Sequence, residues 1–156
     1  NERLLPVSLA WRDRVQECLP SNLRVVGGKL ATSKKVLTSS NEKRDFAKIT
    51  GASAVDLESG AVAEVAEDSD TPFLAIRAIS DPIEFSPPLA LLDAVNPDGS
   101  ANLSQIISLL LQRSVTLSTL LRLGKDVRTA RATLSTVALH AGIELGIQSN
   151  QSTSAH

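Results

Sequence analysis

The chain has 156 residues, 42% of them hydrophobic, with 16 basic against 17 acidic side chains and a formal charge of -1. That length supports one domain with one core, the composition excludes a disordered chain, and the balanced charge excludes the basic footprint of a nucleic-acid binder. A single cysteine, Cys18, cannot make an internal disulfide and suits a reducing cytoplasm, and no apolar run approaches the roughly 20 residues of a membrane span.

The N-terminus lacks the basic start and apolar stretch of a signal peptide. Because the chain starts at Asn1 and contains no methionine, it is expected to be a fragment of a longer protein. Trp11, Val15, Cys18 and Leu19 recur at three- and four-residue spacing and predict a short amphipathic helix ending at Pro20, with Cys18 as a small buried hydrophobe. "LRVVGGKLAT" (23–32) and "KVLTS" (35–39) have the β-branched content and glycine punctuation of strands. Ser39 and Glu42 then make a capping box for a helix over 41–49. "SAVDL" (53–57) is the next strand, the Ala- and Glu-rich run from Glu58 to about Asp70 is helical, and "TPFLAIRAIS" (71–80) is a near-continuous apolar strand. Residues 53–80 therefore read as a βαβ unit whose two strands are parallel and buried.

Beyond Asp81 the texture changes, because Pro82, Pro87, Pro88, Pro97 and Gly99 break the chain into loops and short helical pieces. Residues 101–113, 115–124 and 126–141 read as consecutive leucine-rich amphipathic helices, and the polar "QSNQSTSAH" (148–156) as a disordered tail. No internal repeat is present. The class is α/β with a helical C-terminal layer, in one domain over 1–147 with a helical extension at 101–141.

Two acids stand out. In a parallel sheet, ligands bind in the crevice beyond the carboxyl ends of the strands, and Glu58 and Asp81 each follow such an end. Alone, Glu58 is equally explained as an acid favoured by the positive end of a helix, and Asp81 before Pro82 as a turn former. Together on adjacent strands they point to a ligand site.

"ASAVDLESGAVAEVA" and "PFLAIRAISD" resemble the two signature segments of the nucleoside phosphorylase and nucleosidase superfamily, which includes purine nucleoside phosphorylase and methylthioadenosine/S-adenosylhomocysteine nucleosidase. Within it the likeness is strongest to the hopanoid-associated phosphorylases, through "AWRDRV", "NPDGS" and "LLRLGKDVRTARATL", and it runs from about Leu9 to about Gly146. The resemblance implies a C-terminal portion, two thirds or so, of a three-layer fold with a central mixed sheet. The family's first strands and its glycine-rich phosphate or water site have no counterpart here.

Carried over position by position, Glu58 matches the acid that accepts hydrogen bonds from the ribose hydroxyls, and Asp81 matches the acid that protonates the purine. Leu57 stands where the family has a methionine, the adjacent acid falls on Asp56, and Val36 and Leu37 fall at the base. Ser80 is placed to orient the Asp81 carboxyl. The implied activity is release of adenine from adenosylhopane by phosphorolysis in hopanoid biosynthesis, with phosphate as co-substrate and no cofactor. The alternatives are a nucleosidase using water and a truncated, inactive nucleoside-binding or subunit-interaction protein. A homo-oligomer is expected.

Arg77, inside an apolar strand, calls for a partner, because an unpaired buried guanidinium is prohibitively costly; Asp56 on the neighbouring strand supplies it as a structural ion pair. Lys34 and Lys35 read as a solvated turn. His140 and His156 have no second ligand at metal spacing, so no metal site is assigned. The leucines between 109 and 123, with Arg113, Arg122, Lys125, Arg128 and Arg131, suit helices packed on the domain; a surface facing a membrane at its periphery is the alternative.

Overall fold

A computed structural model describes residues 3–86, 88–91, 93, 94, 96, 101–142 and 145. The tail at 148–156, with His156, and most of the "NPDGS" turn lie outside the described residues. The first helix, α1 (Leu9–Cys18), starts at Ser8, whose side chain accepts from the N–H of Trp11. Val15 takes its inward position. Cys18 closes the last turn and is exposed, contrary to the buried place expected of it.

Strand β1 (Leu30–Thr32), helix α2 (Ser40–Thr50) and strand β2 (Ala54–Asp56) follow. The two strands pair in parallel, with Leu30 opposite Ala54, Ala31 opposite Val55 and Thr32 opposite Asp56, so α2 is the crossover that parallel pairing requires. The capping box forms: Ser39 accepts from the N–H of Glu42 while the Glu42 carboxylate accepts from that of Ser39. Gly51 ends α2 with φ 66°, a left-handed conformation that a residue with a Cβ adopts only under strain.

The βαβ unit thus lies over β1, α2 and β2 and not over 53–80. Two expected strands are not strands, and in both the backbone finds partners outside a ladder. At 35–39, Ser33 Oγ turns the chain by bonding both the N–H and the carbonyl of Lys35. Glu42 then takes the N–H groups of Thr38 and Ser39, which removes both from any ladder. At 71–80 no strand forms, and the carbonyl of Phe73 is taken by the N–H of Ser8 at 2.8 Å. Among the described residues the sheet is a parallel pair, and the central mixed sheet is not seen.

Helix α3 (Ser59–Asp68) follows β2, and a short 3-10 turn at Leu89–Leu91 leads to α4 (Leu103–Leu111) and α5 (Leu117–Ala141). The break expected near Gly124 is absent, so two predicted helices are one. Arg122 and Asp126 pair across that glycine, one turn apart at 3.8 Å, and the cost of an internal glycine, about 1 kcal/mol, is small beside 25 residues of continuous helix. Buried apolar side chains come from Val15 on α1, Ala63 on α3, Val137 on α5, Leu37 in the loop before α2 and Phe85 in the loop after the 71–80 segment. Most leucines of α4 and α5 stay uncovered, including Leu103, Leu111, Leu121 and Leu139, which departs from the packed face expected.

The Glu42 carboxyl is lowered from 4.5 to about 2, first by the Lys35 side chain and then by the backbone and hydroxyl of Thr38. A carboxylate held more tightly folded than unfolded stabilises fully above about pH 4.5, and that stabilisation fades as pH falls toward about 2. Glu42→Gln is therefore expected to lower the melting temperature at neutral pH and to flatten the acid limb of the stability curve in that window. Calorimetry across the range checks it, and parallel curves for the two proteins would contradict it.

Candidate active site

Strand β2 delivers Asp56 to the start of α3, where both of its carboxylate oxygens are engaged. Its Oδ1 accepts the N–H of Ser59 at 3.1 Å and the hydroxyl of Thr32 at 3.2 Å. Its Oδ2 accepts the Ser59 hydroxyl and pairs with Arg77 Nη2 at 2.5 Å. Burial pushes this carboxyl up, but the two Ser59 bonds, the Arg77 charge and the Thr32 hydroxyl together outweigh burial and hold it below the ordinary carboxylate value. Thr32 in turn accepts the N–H of Gly60 at 2.7 Å. A Cβ at residue 60 would stand 2.9 Å from Thr32 Oγ1, so α3 can approach β1 this closely only because that residue is glycine.

This network decides what Glu58 is doing. Glu58 occupies the N-cap position of α3 yet makes no capping hydrogen bond, because Asp56 already serves the first free N–H of the helix. Its side chain is 69% exposed, with Arg77 Nη2 4.0 Å from Oε2. Glu58 is thus a carboxylate at a helix N-terminus with its oxygens free for hydroxyl donors. Arg77 also donates to Ser59 Oγ at 2.7 Å, so one guanidinium braces Asp56 and Ser59 and faces Glu58. It is 44% exposed and not buried as expected, since the segment that carries it is not a sheet strand.

Asp81 has a different neighbour from the one expected. Its Oδ1 lies 2.7 Å from Lys43 Nζ, and Lys43 also donates to the carbonyls of Phe85 at 2.8 Å and Pro82 at 3.3 Å. Sequence reasoning missed Lys43. The signal was available, because Lys43 lies on the same stripe of α2 as Phe46, Ala47 and Thr50, at offsets of three, four and seven, a place where a lysine needs a reason. The expected hydrogen bond from Ser80 to Asp81 is not formed.

The structure brings most of the expected residues to one cleft. A cavity of about 380 Å³, within the roughly 300–1,000 Å³ range of small-molecule sites, is lined by Val36, Leu37, Leu57, Ser80 and Asp81, with Asp56 and Arg77 at one end. Val36 and Leu57 present apolar surface to it, while Leu37 is buried behind them. Glu58 stands outside the lining, past the end of β2 where Arg77 faces it. Lys35 and Lys34 are exposed, and Lys35 is engaged by Glu42 at 3.0 Å. A second cleft, of about 940 Å³, runs beside α1 and Gly28 on the far side of β1.

A family model described as the phosphorylase superfamily matches residues 2–112, which takes in α1, both strands, the cleft and all of α4. The chain belongs to the phosphorylase superfamily. No curated protein and no solved structure matches it. Membership suggests an enzyme of the nucleoside phosphorylase or nucleosidase type, which cleaves nucleoside glycosidic bonds in general, and the matched residues include those of the cleft.

The Asp56 network generates a stability prediction. Asp56→Ala leaves the Ser59 N–H, the Thr32 hydroxyl and the Arg77 guanidinium without their acceptor, and a loss of about 1–3 kcal/mol is expected in urea unfolding. A change within about 0.5 kcal/mol, as for an ordinary surface site, would mean that water replaces the carboxylate there.

Proposed function

We propose that the cleft cleaves the N-glycosidic bond of a purine nucleoside, with Asp81 as the acid at the base and Glu58 as the carboxylate on the ribose hydroxyls. The observation that carries this reading is two acids in contrasting environments: Asp81 in the wall of the cleft and tied to a buried ammonium, and Glu58 outside the lining just past the end of β2, exposed and free of capping duty.

The chemistry needs both. As the bond breaks, positive charge builds on the ribose and an electron pair passes to the base. A carboxylate accepting hydrogen bonds from the hydroxyls makes strong charge-assisted bonds, fixes the sugar and stabilises its developing charge. A proton delivered to a ring nitrogen turns an anionic leaving group into a neutral one, a contribution of about 10²–10⁴-fold. The exposed apolar surfaces of Val36 and Leu57 suit the two faces of a flat base, with Leu37 packed behind and Ser80 at the same wall.

The finer proposal is adenine release from adenosylhopane by phosphorolysis, in a homo-oligomer that touches a membrane at its periphery. No helix among the described residues is long and apolar enough to cross a membrane. Support comes from α4, where Leu103, Ile107 and Leu111 repeat every fourth residue on an uncovered face, and from exposed Leu117 and Leu121 on α5. A polycyclic hydrocarbon on the ribose needs such an apolar route, because a nucleoside-sized cavity cannot hold it.

The test is release of free adenine, followed by chromatography, from adenosylhopane and from adenosine, each with and without phosphate. Asp81→Asn is expected to lower turnover about 10²-fold or more. Glu58→Gln is expected to raise KM and lower kcat together, because an amide accepts weaker hydrogen bonds than a carboxylate. Release only with phosphate supports phosphorolysis, and release without it supports a nucleosidase. Wild-type rates in the Asp81 variant would remove Asp81 from the mechanism.

A further inference from the structure

Lys43 is the one charged side chain among the buried residues of the described chain, with 9% of its side chain exposed. An ammonium taken out of water is strongly destabilising unless its donors are met. Here they are met by two carbonyls and one carboxylate, all from the five residues between Asp81 and Phe85.

If Lys43 served only to fasten that loop, it would duplicate other fastenings. The loop closes on itself through the N–H of Phe85 donating to the carbonyl of Pro82 at 3.0 Å. It is tied to α2 a second time where the Ser40 N–H donates to Ser86 Oγ at 2.8 Å and the two hydroxyls meet at 3.0 Å. What the ammonium adds, and those contacts do not, is a cation 2.7 Å from the Asp81 carboxyl, whose other side remains open to the cleft with 39% of the side chain exposed.

We propose that Lys43 is the positioning residue for Asp81: it fixes the carboxyl at the base end of the cleft and passes it the proton that the leaving base takes up. This rests on reading Asp81 as the acid of a nucleoside-cleaving site. In the step, the glycosidic C–N bond breaks with its electron pair going to the base, while phosphate or water forms the new C–O bond to the ribose carbon and releases its own proton to solvent. Asp81 gives a proton to a ring nitrogen, and Lys43 gives a proton to Asp81 and becomes the neutral amine. Water returns the proton to Lys43 after the base has left. The number of protons on the pair is the same at the start and the end of a turnover.

The experiment compares two substrates that differ in their need for a proton: adenosine, whose base leaves poorly as an anion, and 4-nitrophenyl riboside, whose phenolate leaves unaided. In Lys43→Met, kcat on adenosine is expected to fall about 10²-fold. On the nitrophenyl riboside it should change by less than about threefold, since the ribose contacts are untouched. The Lys43→Met and Asp81→Asn losses on adenosine should be strongly non-additive, as for residues that act as a unit.

Lys43→Gln, which keeps a donor for the carbonyls but has no proton to give, carries the same test if the methionine variant does not fold, and it should show the same discrimination. Equal losses on the two substrates, or additive losses in the double variant, would make Lys43 a brace and overturn the proposal. No adenine from the wild-type protein would sink the glycosidase reading itself, a result distinct from Lys43 variants that match wild type.

Discussion

The buried ammonium of Lys43 is the constraint around which the cleft is arranged. A charge of this kind persists inside a fold only where its neighbours are held in place to receive it, and here the neighbours are the carbonyls of Pro82 and Phe85 and the Asp81 carboxyl. Lys43 therefore locks the loop after the 71–80 segment onto α2, although that segment has no ladder to hold it. The lock extends further. Phe85, buried beside it, carries the Arg122 guanidinium 4.5 Å from its ring centre, which joins the first turns of α5 to the same point. The next residue back on the same helix turn, Glu42, gathers Lys35, Thr38 and Ser39 with its carboxylate, so two neighbouring residues of α2 fasten two separate loops.

Three carboxylates near the site have three fates, set by their surroundings. Asp56 is spent on structure, its oxygens filled by Ser59, Thr32 and Arg77. That expenditure releases Glu58, which would otherwise be needed to cap α3 and instead stands open to solvent. Asp81 is paired on one side and open on the other. Assigning different work to chemically similar acids by environment alone is how one site can hold a sugar and handle a proton at the same time.

Much of this was legible in the sequence, and what was not has physical causes. Short-range signals survived: the Ser39–Glu42 capping box and the helix after Glu58 each depend on a few neighbouring residues whose chemistry leaves few choices, and Arg77, though distant in sequence, meets Asp56 because a guanidinium in an apolar run needs a partner. Strand assignments failed where apolar content was read as pairing. "KVLTS" looks like a strand, but Ser33 and Glu42 take its backbone groups, and residue composition does not reveal which partner a backbone donor finds. The helices expected over 115–124 and 126–141 are one, which was not legible because the continuity of helical turns through residues 124 and 125 depends on backbone bonds that residue types do not display. Lys43 was missed for a related reason: its role depends on carbonyls some forty residues away, and only its place on the inner stripe of α2 hinted at it.

The central claim is that one cleft holds the base against Asp81 and the sugar against Glu58. It is tested most directly by a crystal structure with an adenine-like C-nucleoside, whose carbon–carbon link to the ribose resists cleavage. The account predicts the sugar hydroxyls on the Glu58 carboxylate and the ring between Val36 and Leu57, with a ring nitrogen within hydrogen-bond distance of Asp81. Density for the nucleoside in the larger cleft beside Gly28, with Glu58 and Asp81 untouched, would contradict it.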